Sequence, residues 1–209
     1  MILHRTAFII GTLAAVMLNL LAGCRGYTPP VDYYHLSASL PSTEAMPSPQ
    51  KKEGPSIGLG PVSMPDYLDR PQIVTRLSDN QIKVDEFHRW AGSINGNFVS
   101  VLAADVDLQA KTSQVLVHPW TARLEPDFSV SLVIHRFEGR LGESVQLTAA
   151  WCVTHRRQTR TSLFKWSIIE IATPKADYDG LVAAESQAIE QLSREIVQAI
   201  EGWSASTGP

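Results

Sequence analysis

Cysteine is scarce: the 209 residues hold two, too few for a disulfide framework and without the spacing of a zinc site. A basic excess is missing too. The formal charge is −3, and the tightest basic cluster is His155-Arg156-Arg157 with Arg160 nearby, so an electrostatic grip on nucleic acid is excluded. Charged residues are only 19% of the chain and apolar residues 44%, the balance of a packed globular protein and not of a disordered one. Catalytic signatures are absent as well. No Gly-x-Ser-x-Gly elbow or P-loop occurs, and Gly58-Leu59-Gly60 runs into Pro61 instead of a helix. The six histidines form no His-x-His or His-x3-His pair. Asp105 and Asp107, two apart on a helix, point about 200° away from each other and make a poor acid–base pair. These absences argue against an enzyme.

Long apolar runs are also lacking. The first, Ala7 to Leu21, is shorter than the roughly 20 residues that span a bilayer, and it follows a short basic start containing Arg5. That pattern is a signal-peptide core. It ends in Leu21-Ala22-Gly23-Cys24, which resembles the bacterial lipobox. The resemblance implies cleavage before Cys24, a diacylglycerol on its thiol and an acyl chain on the new amino group. Several chains together hold a protein stably at a bilayer, because each buried methylene contributes about 0.8 kcal/mol. Arg25 stands where enteric-type bacteria place the Asp that retains lipoproteins in the inner membrane, so an outer-membrane destination is expected. With Cys24 acylated, Cys152 has no partner and is expected to be buried in a strand.

The rest of the chain reads as one α+β domain. Residues 1–23 form the signal peptide, 24–32 a tether, 33–203 the domain and 204–209 a disordered tail. Pro41, Pro47, Pro49 and Pro55 mark a linker. Strands are expected at Tyr33–Leu36, Ser56–Val62, Gln72–Leu77, Gln81–Phe87 and Gln114–His118. Phe128, Val130, Leu132 and Ile134 alternate with polar residues, as do Val145, Leu147, Ala149, Trp151 and Val153. Both patterns describe half-buried antiparallel strands, with Ser162–Ile171 as a third. Apolar residues at helical spacing predict helices over Ser93–Leu108 and Asp179–Trp203, with Ser93 and either Asp177 or Asp179 as caps. The expected architecture is a mainly antiparallel sheet with two helices packed on one face. The other face, with Ser129, Ser131, Gln146, Thr148 and Thr154, meets water or a partner.

Between Pro61 and Pro71 the chain is restrained by Pro65 as well, and neither helix nor regular strand is expected there. A rigid surface loop would present Asp66, Tyr67, Leu68, Asp69 and Arg70, with Arg76 following. Groups fixed in advance lose little entropy on docking, which suits a protein interface. The opposing reading is a structural loop with Tyr67 and Leu68 packed inward.

The segment Gly60-Pro61-Val62-Ser63-Met64-Pro65-Asp66-Tyr67-Leu68-Asp69-Arg70-Pro71-Gln72-Ile73-Val74-Thr75-Arg76 resembles the signature of the ABC-type transport auxiliary lipoproteins, the PqiC/YmbA-like family. Phe87-His88-Arg89-Trp90, Val117-His118-Pro119-Trp120, Phe137-Glu138-Gly139, the spacing of Leu147 to Trp151, and Tyr178 with Leu181-Val182 fit the same pattern in order. The glycine-rich turn Ala91–Gly96 departs from it. The resemblance implies a non-catalytic, cofactor-free lipoprotein of the outer membrane, facing the periplasm. It would dock an MCE-domain protein of the inner membrane in a lipid-transport system that supports envelope integrity. Because MCE proteins assemble as rings, it also points to a matching homo-oligomer. Two other readings stay open: a lipid-binding shuttle, which needs an apolar cavity of roughly 300 Å³ or more, and an assembly factor for outer-membrane components.

Overall fold

A computed structural model describes residues 29–39, 54–110, 112–121, 124–157 and 162–206. Cys24 and the linker prolines 41, 47 and 49 lie outside the described residues. From Val31 onward the chain forms one compact α+β unit. Its strands are β1 (Asp32–Tyr34), β2 (Ile57–Ser63), β3 (Gln72–Ser78), β4 (Gln81–Trp90), β5 (Val115–Val117), β6 (Phe128–Gly139), β7 (Ser144–His155) and β8 (Ser162–Ala172). The helices are α1 (Ile94–Gln109) and α2 (Tyr178–Ser206).

Two sheets stand where one was expected. A small sheet has the order β1-β4-β3 and a larger one β5-β2-β6-β7-β8. The long pairings β6/β7 and β7/β8 are antiparallel, as is β3/β4. The short contacts of β1 with β4 and of β2 with β5 and β6 are parallel. Periodicity sees which residues share a face but not which strands are neighbours, so these long crossovers were invisible in the sequence.

The larger sheet is built from alternation. Phe128, Val130, Leu132 and Ile134 of β6 and Val145, Leu147, Ala149, Trp151 and Val153 of β7 are buried on one side. Each such Leu or Val contributes roughly 1.5–3 kcal/mol when fully removed from water. α2 packs over β6, β7 and β8, α1 over β2 and β5, and the helices pack on each other. Trp151 Nε1 donates to Ser167 Oγ at 2.8 Å, and Ser167 donates onward to Glu195 of α2. That relay satisfies the indole inside the core and ties α2 to β8.

Caps set the helix starts. Ser93 Oγ accepts from Gly96 N at 3.2 Å, and Asp177 Oδ1 accepts from Gly180 N at 2.8 Å, which resolves the choice between Asp177 and Asp179. α2 continues past Trp203, so residues 204–206 are helical and not tail. Cys152 is half-buried on the sheet face away from the helices, not in the core. Partial burial still pushes its thiol pKa up, against a hydrogen bond with Ser162. Among the described residues no helix is long and apolar enough to cross a membrane.

Candidate partner interface

The proline-bounded segment is more regular than its prolines suggest. β2 runs through Pro61 to Ser63, so the loop begins only at Met64. Pro61 has no N–H to give a ladder, and it sits where β5 has already stopped pairing, at Leu59, and where the β2/β6 register shifts. The Gly60–Pro61 bond is cis and Gly60 has φ 108°, a left-handed value that favours glycine. Leu68 and Asp69 then donate their N–H groups to Pro65 O at 2.9 and 3.3 Å, closing a tight turn. Trp90 N donates to Pro71 O at 2.7 Å and anchors the far end on β4.

Below the turn lies a buried carboxylate. Glu138 of β6 is fully buried. Tyr67 Oη donates to its Oε2 at 2.9 Å. Arg76 Nε and Arg136 Nε donate to its Oε1 at 2.7 and 2.9 Å. The Phe137 N–H donates to Oε2 at 3.1 Å. Two guanidinium groups and two further donors satisfy both oxygens of this buried carboxylate. Burial, and next the Glu138 charge, push the Tyr67 phenol up to about 12. Glu185 of α2 is buried too, and its Oε2 has no partner. Burial first, then repulsion from Glu138, raise its pKa well above the usual carboxylate value.

The six loop residues therefore divide. Leu68 is buried in the core, and Tyr67 and Arg76 are largely turned inward onto Glu138. Asp66 and Asp69 are exposed, and Arg70 is half-exposed. Asp69, Arg70 and Pro71 line one side of a shallow pocket of about 280 Å³, with Trp90, Ala91 and Gly92 opposite. Arg70 Nε is shut off from solvent without a hydrogen-bond partner. The expected inward packing of Tyr67 and Leu68 and the expected surface display thus both hold, for different residues of one turn.

A second cluster joins two other motifs. Asp85 of β4 accepts from the N–H of Phe87 at 3.0 Å, from His88 Nδ1 at 2.8 Å and from Tyr178 Oη at 3.0 Å. Lys83 adds an ion pair at 2.8 Å. Burial alone would raise the Asp85 pKa, but the bonds from Lys83, His88, Phe87 and Tyr178 outweigh it and hold it well below the usual range. His88 stacks on Tyr178 at 3.9 Å. This knot fixes the small sheet to the start of α2. Sequence reasoning missed Glu138 and Asp85 as organising carboxylates. The signal for Glu138 was an acidic residue between Phe137 and Gly139, two positions after Arg136.

It also missed the open face of β8. Phe164, Trp166 and Ile168 are 76%, 64% and 71% exposed. Val133 of β6 and Ala150 of β7 lie in register beside Trp166, and His135 stacks on the indole at 4.7 Å. The polar residues expected on this face are present, but they flank an apolar middle. On the helix side a groove of about 490 Å³ lies between α1 and the β2 segment beyond Leu59, open to solvent. Among the described residues no cluster of His, Cys, Asp and Glu could hold a metal.

Comparisons with known proteins agree with this framework. The model of the ABC-type transport auxiliary lipoprotein component matches residues 34–197. The intermembrane transport lipoprotein PqiC of Escherichia coli is 23% identical over 190 residues, covering 91% of this chain and 95% of that protein. Protein XCC0632 from Xanthomonas campestris has a similar fold, with a TM-score of 0.64 at 17% identity over 85% of this chain and 100% of that one. An uncharacterised protein of known crystal structure aligns with a TM-score of 0.66 at 21% identity, over 82% of this chain and 99% of the other.

Proposed function

The chain belongs to the family of ABC-type transport auxiliary lipoprotein components, and from that premise we propose that it is the outer-membrane docking piece of an MCE-type intermembrane lipid-transport system. Cys24 carries the acyl chains, and the domain faces the periplasm. It acts without catalysis and with no cofactor beyond that covalent lipid. Its partner is an MCE-domain protein reaching from the inner membrane, and copies of the chain assemble with one another. The observation that carries the reading is a family match spanning almost the whole domain, in a chain whose lipobox ends at Cys24.

Within that reading, Asp66, Asp69 and Arg70 touch the partner over the Trp90-lined pocket. Tyr67, Leu68 and Arg76 position them from below through Glu138 and the core. A charged rim over a shallow aromatic pocket gives orientation and a fast encounter more than raw affinity. Labelled palmitate tests the anchor: it enters the wild-type chain and is absent from Cys24→Ser. Co-purification from solubilised membranes tests the partner. An MCE-domain protein accompanies the wild type and is lost on Arg70→Glu. Absence of label, or a wild-type chain that fractionates as free periplasmic protein, contradicts the proposal.

A further inference from the structure

After Tyr34 the chain leaves the small sheet and crosses the helix pair as a strap, residues 35–39, outside any helix or strand. Side chains take the place of a ladder. Leu36 N donates to Asn97 Oδ1 of α1 at 2.7 Å, Ser37 N to Ser186 Oγ of α2 at 3.1 Å, and Ser39 N to Asp105 Oδ1 of α1 at 2.9 Å. Asn97 Nδ2 lies 3.0 Å from His35 Nε2 and returns a long bond to Leu36 O at 3.4 Å. Asn97 and Asp105 are eight residues apart on α1, about 12 Å along its axis, close to what three extended residues span. The strap therefore follows α1 from its first turn onward.

Three features set this segment apart from the core beneath it. Of the eight residues from Asp32 to Ser39, only Leu36 is buried. β1 is three residues long, lies at the edge of its sheet and pairs with β4 alone. The seat itself is polar, since water can satisfy Asn97, Ser186 and Asp105 once the strap is gone. Asp105 is fully buried, and its Oδ2 accepts nothing while Oδ1 holds Ser39. A carboxyl group buried with an idle oxygen is costly, and lifting Ser39 lets water reach it from that side. Few buried apolar side chains and hydrogen bonds close to solvent are the marks of a segment that opens locally while the rest stays folded.

We propose that β1 and the strap form a releasable clasp that gives the tether two lengths, short when residues 32–39 are seated on β4 and the helix pair, long when they lift off together. The arithmetic is set by where the acyl chains attach. Cys24 is eight residues before Asp32, which bounds the distance from the anchor to the seated domain at about 28 Å. With the clasp undone the next strand is β2 at Ile57, 33 residues from Cys24, and the bound becomes about 110 Å. A protein held at one membrane and meeting a partner that reaches from another takes range from the long state and a fixed stand-off from the short one. The clasp ends against the pocket assigned to that partner. Tyr34 pairs with Trp90, Ala91 N donates to Tyr34 O at 2.8 Å, and Trp90 and Ala91 both line the Asp69–Arg70 pocket. This deepens the proposed function and rests on its acylation of Cys24.

The test uses the full chain, purified from membranes and returned to vesicles of phosphatidylethanolamine and phosphatidylglycerol. Amide hydrogen exchange read by mass spectrometry reports the opening. The amides of residues 32–39 exchange at least about a hundredfold faster than those of β6 and β7. Leu36→Ser speeds exchange of residues 32–39 at least about tenfold, and Asn97→Ala, which removes only part of the clamp, at least about threefold. Neither variant changes the protection of β6 and β7.

Reach is read by energy transfer from a dye on Gly202→Cys, in a Cys152→Ser background, to acceptor lipids in the bilayer. An added Cβ at Gly202 meets nothing within 4 Å. Leu36→Ser and Asn97→Ala both lower the transfer relative to their parent. Residues 32–39 that exchange no faster than β6 and β7 overturn the clasp. Unchanged transfer in both variants overturns the two tether lengths. Failure of the anchor reads differently: labelled palmitate is absent and the wild-type chain does not float with the vesicles. That result removes the anchor and this proposal together, whereas the two before it remove the proposal and leave the anchor standing.

Discussion

The signature loop and strand β8 reverse the roles their residues suggest. The loop carries Tyr67, Leu68 and Arg70, the residue types of an interface, yet its aromatic ring and its leucine are turned inward. β8 reads as an ordinary strand, yet it holds the larger exposed apolar area. The difference comes from what lies beneath each. Glu138 sits under the loop and needs donors, so Tyr67 and Arg76 turn inward to supply them. Beneath β8 the inward residues Ser167 and Ile169 face α2, where Ser167 alone meets the Glu195 carboxylate, and the alternate residues are left outside. A rigid loop can thus be a strut held from below, while a plain edge strand can carry the exposed apolar face.

Substitutions that break this contrast rank by how much buried charge they strand. Arg76→Met removes one of the two guanidinium groups at Glu138 and should destabilise the fold by about 3 kcal/mol in urea unfolding. Tyr67→Phe removes one donor to the same carboxylate and should cost about 1.5 kcal/mol. If either is neutral, the loop is not held from below.

Glu185→Gln sharpens the picture through pH. The Glu185 carboxyl binds its proton more tightly when folded, because burial and then Glu138 raise its pKa. Its contribution is therefore fully present below the unfolded carboxylate pKa and is lost as pH rises toward the folded value. The Gln variant should match wild type near pH 4 and become the more stable of the two as pH rises to 8. Asp85 has the opposite sign: its folded pKa is lowered, so its contribution exists above the unfolded value and disappears as pH falls toward the folded one. Acid unfolding of Asp85→Asn should accordingly begin from a lower neutral-pH stability and show a shallower slope. The smallest stability effects belong to β8 and the loop rim. Phe164→Ser and Asp69→Lys should each change unfolding free energy by no more than about 0.5 kcal/mol. The effect of Asp69→Lys should appear instead in partner recovery.

The fold was legible wherever one period ran long. The alternation of β7 located that strand to within a residue at each end, and Ser93 marked the cap of α1; β6 ran on past its alternation to Gly139, and α2 ran past Trp203 to Ser206. Pairing was not legible, because β2 meets β5 and β6 through long crossovers that leave no local mark. Pro61 hid the end of β2, since a proline is expected to end a strand and here it occupies a position without a ladder partner on one side. For the interface, sequence pattern located the segment but not its orientation. Asp66 and Asp69 face solvent and Arg70 does so in part, whereas Leu68 is buried and Tyr67 turns its hydroxyl inward, and the position of Glu138 decides between them. The β8 face went unread because alternation within Ser162–Ile171 has apolar residues in both phases, so neither phase announces the core.

The most direct test places a photo-crosslinking amino acid at Asp69 or at Phe164 in the full chain in living cells. The account predicts that position 69 captures an MCE-domain protein and that position 164 does not. Position 164 capturing the MCE-domain protein, with position 69 capturing nothing, would contradict it.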